Sequence, residues 1–195
     1  MILFGVDPGL TRCGVGVVDA GPGRQVSFRS VHVLRSPAGE DPALRLRVIG
    51  EGLAELLDRE KPEGIALERV FAQNNLSTVM GTAQVSGVVM FLAAQRGVPV
   101  TMVTPSELKA QITGYGNADK AQVTHMVTRV LGLAEPPKPA DAADALALAV
   151  THAWRSFRSP RSAPGGDASG MTPAQLAWQR AERAAKRPGG RGGAR

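Results

Sequence analysis

The sequence predicts an α/β fold: a mixed five-stranded sheet with helices on both faces. Three observations carry that expectation. Three extended, β-prone runs open the chain with only short turn signals between them, as in an antiparallel meander. From residue 41, helical and extended patterns alternate, which calls for crossovers onto a shared sheet. Three helical segments then close the folded part, giving the order β-β-β-α-β-α-β-α-α-α.

Residues 2–7 (ILFGVD) end at Asp7-Pro8-Gly9, a strand running into a turn. Residues 12–20 resume β-prone character, and after Gly21-Pro22-Gly23 residues 25–35 alternate loosely as a third strand. Asp41-Pro42 supplies a helix cap and a first-turn proline. Behind it Leu44, Val48, Ile49, Leu53, Leu56 and Leu57 recur at helical spacing until Pro62. Residues 64–68 (GIALE) form a short strand ending in an acid, and Asn74-Asn75 can cap a long helix reaching Gln95. Residues 98–103 are the fifth strand, and Thr104-Pro105-Ser106-Glu107 is a capping box opening a short helix. After the Gly114–Asn117 loop, 119–131 is a helix with Val123, Met126, Val127, Val130 and Leu131 on one side, and 140–157 is an Ala-rich final helix. His125 and His152 are read as helix-packing residues.

Of the 195 residues 43% are hydrophobic, enough for a sizeable core, and the single cysteine, Cys13, excludes an internal disulfide framework and suggests a reducing compartment. The opening residues have no basic leader, and Val85–Ala94, the most apolar later stretch, is too short to span a bilayer. A soluble, cytoplasmic protein is expected. Residues 1–157 carry 15 basic and 15 acidic side chains, whereas 158–195 carry 8 basic residues against Asp167 and Glu182. The net charge of +6 therefore lies wholly in a Ser, Pro, Gly and Arg-rich tail expected to lack a core, apart from a short basic helix that Thr172-Pro173 can cap. Any nucleic acid held by the domain at 1–157 must be held by local clustering of cations.

Four carboxylates fall at the ends of elements. Asp7 ends the first strand; within GIALE, period two places Ala66 and Glu68 on one face and Ile65 and Leu67 on the other. Asp141 and Asp144, three apart on one helix, point the same way. Each acid has an ordinary reading: Asp7 as a turn former, Glu68 as a solvated strand end, Asp141 as a charge favoured by its helix dipole. Asp144 sits among Ala142, Ala143, Ala145 and Leu146, and a carboxylate on such a face needs a partner. If the last helix crosses the sheet near the ends of strands one and four, all four acids converge. Two like charges ~4 Å apart repel by about 4 kcal/mol at an effective dielectric near 20, so such a group needs protons or cations. Oxygen donors without a Cys or His set favour Mg²⁺ or Mn²⁺, two of which would suit in-line attack on a phosphodiester.

The strings GVDPGLTRCGVGVV, ALERVFAQNN, SELKAQITGYGNADKAQV and DAADALALAVTHAW, in that order and spacing, resemble the RuvC family over residues 2 to about 154. The resemblance implies a ribonuclease H-like fold and a homodimer that cuts four-way (Holliday) DNA junctions on two strands of like polarity. It implies Asp7, Glu68, Asp141 and Asp144 as catalytic metal ligands, products with 5′-phosphate and 3′-hydroxyl ends, and the RuvA–RuvB branch-migration complex as partner. It also points to Phe71 as an aromatic that stacks at the crossover, and to Lys109 and Lys120 as supports of catalysis or DNA binding. Tyr115, Arg69 and Arg12 are further DNA-contact candidates. Lys120, near a helix N-terminus where a cation is locally unfavourable, makes sense if a phosphate docks at that end. The helix ending at Gln95 is apolar over much of its circumference, so a partner helix or the chain's own helices must cover its second face.

Three rival readings stand beside this one. A YqgF-like nuclease of RNA processing shares the opening Asp-x-Gly but lacks Glu68-Arg69-Val70-Phe71 and the long final third. An actin-like nucleotide-binding protein needs two such domains, and the chain has length for one. A non-catalytic DNA-binding module would rest on the basic tail alone.

Overall fold

The computed structural model describes residues 1–69 and 76–156. Its elements run β1 (Ile2–Asp7), β2 (Arg12–Ala20), β3 (Val26–Arg35), α1 (Pro42–Glu60), β4 (Gly64–Glu68), α2 (Leu76–Gln95), β5 (Val100–Val103), α3 (Pro105–Thr113), α4 (Lys120–Val130) and α5 (Ala140–Ser156). This is the order expected from the sequence. The sheet order is β3-β2-β1-β4-β5, with β1–β2 and β2–β3 antiparallel and β1–β4 and β4–β5 parallel. Among the described residues no helix is long and apolar enough to cross a membrane. The tail from residue 158, with its expected short helix, lies outside the described residues.

Local chemistry sets the helix ends. The Asp41 carboxylate accepts from the N–H groups of Ala43 and Leu44, and Lys61 closes α1 in the left-handed region at φ 49°. Thr104 and Glu107 form the expected capping box on α3, and Asp119 and Gln122 form a second one on α4. The fifth strand begins at Val100 rather than 98 because Gly97, at φ 66°, still turns the chain out of α2 and Pro99 has no N–H to pair.

Strand alternation divides the core in two. Phe4, Val6, Val15, Val17, Ile65 and Leu67 pack with α1 and α2 on one face of the sheet. Leu3, Val18, Ala66 and Val103 pack with α3, α4 and α5 on the other. Helices therefore do cover both faces. On α1, Ile49, Leu53, Leu56 and Leu57 are buried, while Leu44 and Val48, on the flank of that stripe, remain exposed. His152 is buried as expected. His125 is not a packing residue: α4 turns Val123 and Val127 inward, and position 125 falls on the exposed side.

Helix α5 lies directly on the sheet. Gly5 pairs with Gly16, and Asp7 with Gly14, across β1 and β2. A Cβ at Gly5 would collide with the Ala145 carbonyl and the Ala149 N–H, and one at Gly14 with the Asp141 carbonyl. At Gly16 it would lie 2.6 Å from the Leu146 nitrogen. These positions require glycine because helix backbone, not side chain, occupies the space above them. Gly14→Ala must push α5 off the sheet, so urea unfolding should show a loss of about 1–3 kcal/mol together with weakened catalysis. An unchanged midpoint would contradict the close approach.

Candidate active site

The site forms where the parallel pair β1 and β4 end, under the N-terminus of α5. Register aligns Val6 with Leu67, so Asp7 and Glu68 follow side by side on the α5 face of the sheet. From α5, Asp141 and Asp144 descend to the same place. All four line one cavity of about 170 Å³, together with Lys109 and Lys120. Leu108, Val123 and Leu148 form its apolar wall. The convergence that strand parity and helical spacing suggested is present.

Charge is balanced there in three different ways. Asp7 and Glu68 are hydrogen-bonded, with Asp7 donating. Burial, then the negative charges of Glu68, Asp144 and Asp141, push Asp7 up from the ordinary 3.8 to about 8. Glu68 is also raised, chiefly by burial, with the bond from Asp7 opposing. Lys120 Nζ donates to Asp144 Oδ2 at 2.9 Å, and that bond raises the lysine. Arg12 Nε lies 2.9 Å from Asp141 Oδ2, but its N–H does not aim at the oxygen, which stays buried without a hydrogen-bond donor. Beside the acids, the buried Cys13 thiol is pushed up to about 12, so it is no nucleophile at neutral pH.

The donor set fits a hard divalent ion. It is all oxygen, it converges from three elements, it contains a carboxyl whose proton is favoured by burial and by the neighbouring acids, and one Asp141 oxygen is orphaned. As they stand, no three such groups among the described residues are gathered tightly enough to enclose an ion. The proton on Asp7 and the ammonium of Lys120 occupy roles that a metal would take over.

The remaining sequence candidates divide. Lys109 and Lys120 are at the cavity. The Lys120 side chain reaches Asp144, whereas the sequence pointed to a phosphate at that helix end. Arg12 is at the rim through Asp141. Tyr115, 61% exposed, and Arg69, also exposed, do not line the cavity; the Arg69 N–H donates to the Val103 carbonyl and continues the β4–β5 ladder. Phe71 and Asn74-Asn75 lie outside the described residues. Sequence reasoning missed Arg45, whose guanidinium donates to Ser36 Oγ and Thr11 Oγ1 and so braces the turn after Asp7. Nothing in its helical spacing distinguishes it from a solvated arginine.

A proton held more tightly in the folded than in the unfolded state stabilises the fold at low pH. The contribution of Asp7 is complete below about 3.8 and is lost as pH rises through about 8. Without divalent ions, the unfolding temperature of the wild type should fall across that window relative to Asp7→Asn, which cannot titrate. Parallel curves for the two proteins would refute the elevated value.

Comparison with known proteins identifies the family and the fold. The family model described as "Crossover junction endodeoxyribonuclease RuvC" matches residues 3–152. A protein of that name from Leifsonia xyli subsp. xyli is 55% identical over 197 residues, covering 95% of this chain and 93% of its own. One from Saccharopolyspora erythraea is 60% identical over 163 residues, covering 84% and 82%. Among solved structures, Thermus thermophilus RuvC in complex with Holliday junction substrate superposes with a TM-score of 0.77 at 34% identity, over 81% of this chain and 96% of that one. The yeast mitochondrial Holliday junction resolvase Ydc2, 14% identical, shares the fold with a TM-score of 0.60 over 82% and 81% of the two chains.

Proposed function

The chain belongs to the RuvC family of crossover junction endodeoxyribonucleases, and from that premise we propose that Asp7, Glu68, Asp141 and Asp144 are its catalytic acids. The protein is a metal-dependent endonuclease of ribonuclease H-like fold that resolves four-way DNA junctions in recombination and repair. The observation that carries the site assignment is the meeting of four carboxylates from β1, β4 and α5 in one cavity.

Those four acids would hold Mg²⁺ or Mn²⁺, two ions per site in our reading. Bound there, the ions supply an activated water and a counter-charge for the departing 3′-oxygen. The chain's own residues do the rest. Asp7 gives up its proton and becomes a ligand. Lys120 exchanges Asp144 for a phosphate oxygen of the strand, and Lys109 beside it adds a second positive charge. Leu108, Val123 and Leu148 limit water at the phosphate, which strengthens each of these contacts. The ends left are a 5′-phosphate and a 3′-hydroxyl. Phe71 is assigned the stacking role at the crossover by family resemblance. Arg12, Arg69 and Tyr115 are assigned to the surrounding DNA, and the RuvA–RuvB complex is the partner that would deliver the junction. We place the enzyme in the cytoplasm, where chromosomal junctions form in bacteria, and take 1–157 as the nuclease domain with 158–195 as an accessory tail.

We also propose a homodimer. Helix α2 buries Val85, Val89 and Ala93 against the sheet and presents Met80, Met90 and Phe91 on its opposite side at 58%, 44% and 61% exposure. Gly87, exposed between them, permits close approach by a second helix. Two equivalent strands of a junction require two sites related by two-fold symmetry.

Two measurements test these assignments. Asp7→Asn should bind a synthetic four-way junction as tightly as the wild type while cutting at least about a thousandfold more slowly, and chelation of divalent ions should likewise stop cutting. Equal cutting of junction, duplex and single strand would instead favour a different nuclease of this fold. Phe91→Glu should convert a dimer to a folded monomer in sedimentation, since a charge in an apolar interface has no partner; an unaltered mass would show the interface to lie elsewhere.

A further inference from the structure

A second concavity lies beside the acid cavity. It measures about 540 Å³ and is lined by Arg12 and Thr11 of the β1–β2 turn, Arg45 of α1, Gly81 and Thr82 of α2, and Asp141. Asp141 lines both spaces, so they are one side chain apart. The acid cavity is walled by α3 and α4, and this cleft by α1 and α2.

Arg45 is held differently from the arginines of this protein that form ion pairs. Arg29, Arg47, Arg59, Arg96 and Arg155 each lie beside a carboxylate. Arg45 instead donates from Nε to Ser36 Oγ at 3.1 Å and from Nη2 to Thr11 Oγ1 at 2.8 Å. Ser36 is itself buried, its hydroxyl donating to the Leu10 carbonyl and its N–H to the Thr11 carbonyl. The guanidinium is thus fixed in place by neutral groups, and among the described residues no carboxylate pairs with it. In the cleft, two guanidinium groups face one carboxylate, which leaves one positive charge in excess. A site of this kind suits a single anionic oxygen group, presented at a fixed distance from the acids.

Resting on the reading that this chain cuts junction strands at Asp7 and its neighbours, we propose that the cleft is a second phosphate subsite. It takes the backbone phosphate adjoining the one being cut, with Arg45 and Arg12 as its cations and Thr11 beside them. The strand then runs from the Lys109–Lys120 side of the cavity, over the acids, to the Arg45 side. Asp141, shared by the two spaces, is relieved of Arg12 when that arginine turns to the phosphate, and becomes free to serve as a ligand.

The experiment measures binding of the full-length protein to a synthetic four-way junction without divalent ions, over a series of KCl concentrations. Arg45→Gln, which keeps hydrogen-bonding capacity and loses the charge, should raise the dissociation constant about tenfold and lower the salt slope by about one. Junctions carrying one methylphosphonate beside the cut should show a single position that weakens wild-type binding and does not weaken Arg45→Gln further. A variant with wild-type affinity and slope, or a methylphosphonate penalty equal in both proteins at every position, overturns the inference. If Arg45→Gln fails to fold, the wild type alone still decides against it: a scan in which no flanking methylphosphonate weakens binding overturns the subsite. A wild type that bound junction no better than duplex would sink the broader functional reading, whereas an inert Arg45 in a junction-selective enzyme sinks only the subsite.

Discussion

The contact on which the site depends is the seating of α5 on a floor of glycines. Gly5, Gly14 and Gly16 leave the middle of that face of β1 and β2 without side chains, between Leu3, Val18 and Asp7, so the helix backbone takes the space a side-chain layer would fill. Ordinary helix-on-sheet packing would hold α5 farther out, and Asp141 and Asp144 would no longer share a cavity with Asp7 and Glu68. The seating also aims the N-terminus of α5 at the carboxylates. The positive end of the helix dipole then lies over the negative cluster and offsets part of its repulsion. Packing and electrostatics are thereby set by the same few glycines.

The carboxylates are kept together by arrangements that are easily undone. A proton lies between Asp7 and Glu68, an ammonium faces Asp144, and a poorly aimed guanidinium stands beside Asp141. Each can leave without disturbing the hydrophobic core, because the leaving group is a proton or an exposed side chain: Lys120 and Arg12 are 76% and 53% exposed. The carboxylates themselves are fixed by a strand, a strand and a helix. A rigid acid framework with mobile cations suits a centre that must accept metal and a phosphodiester in turn.

Most of the fold was legible in the sequence because its signals are local. Asp41-Pro42 and the Thr104–Glu107 box mark helix starts through chemistry within four residues. The face on which Glu68 sits follows from counting by two along GIALE. The spacing of Asp141 and Asp144 likewise settles their common direction. What stayed hidden depends on strand order and helix crossing. The glycine floor looks, along the chain, like three small residues in β-prone runs. The pairing of Arg12 with Asp141 joins residues at opposite ends of the domain, and the bracing of Thr11 by Arg45 joins a turn to a helix. His125 was misread, and Leu44 and Val48 lie exposed within the helical pattern, because a helical stripe shows which residues share a side, not how far the sheet extends beneath it.

Helix α2 links these local features to the geometry of the substrate. Its inner stripe of Val85, Val89 and Ala93 anchors it to the sheet, and its first described turns supply Gly81 and Thr82 to the cleft beside the acids. Its outer face, in the proposed dimer, meets the same face of a second copy. One stiff element would then set both the place of each strand and the separation between the two acid cavities. In that dimer, selectivity for a four-way junction would follow without any reading of bases: two sites held at a fixed distance and orientation would engage a DNA shape that presents two strands to match. Duplex DNA also presents two strands related by two-fold axes, but at a separation and angle fixed by the double helix, so discrimination between the two substrates would rest on the spacing and orientation of the paired cavities.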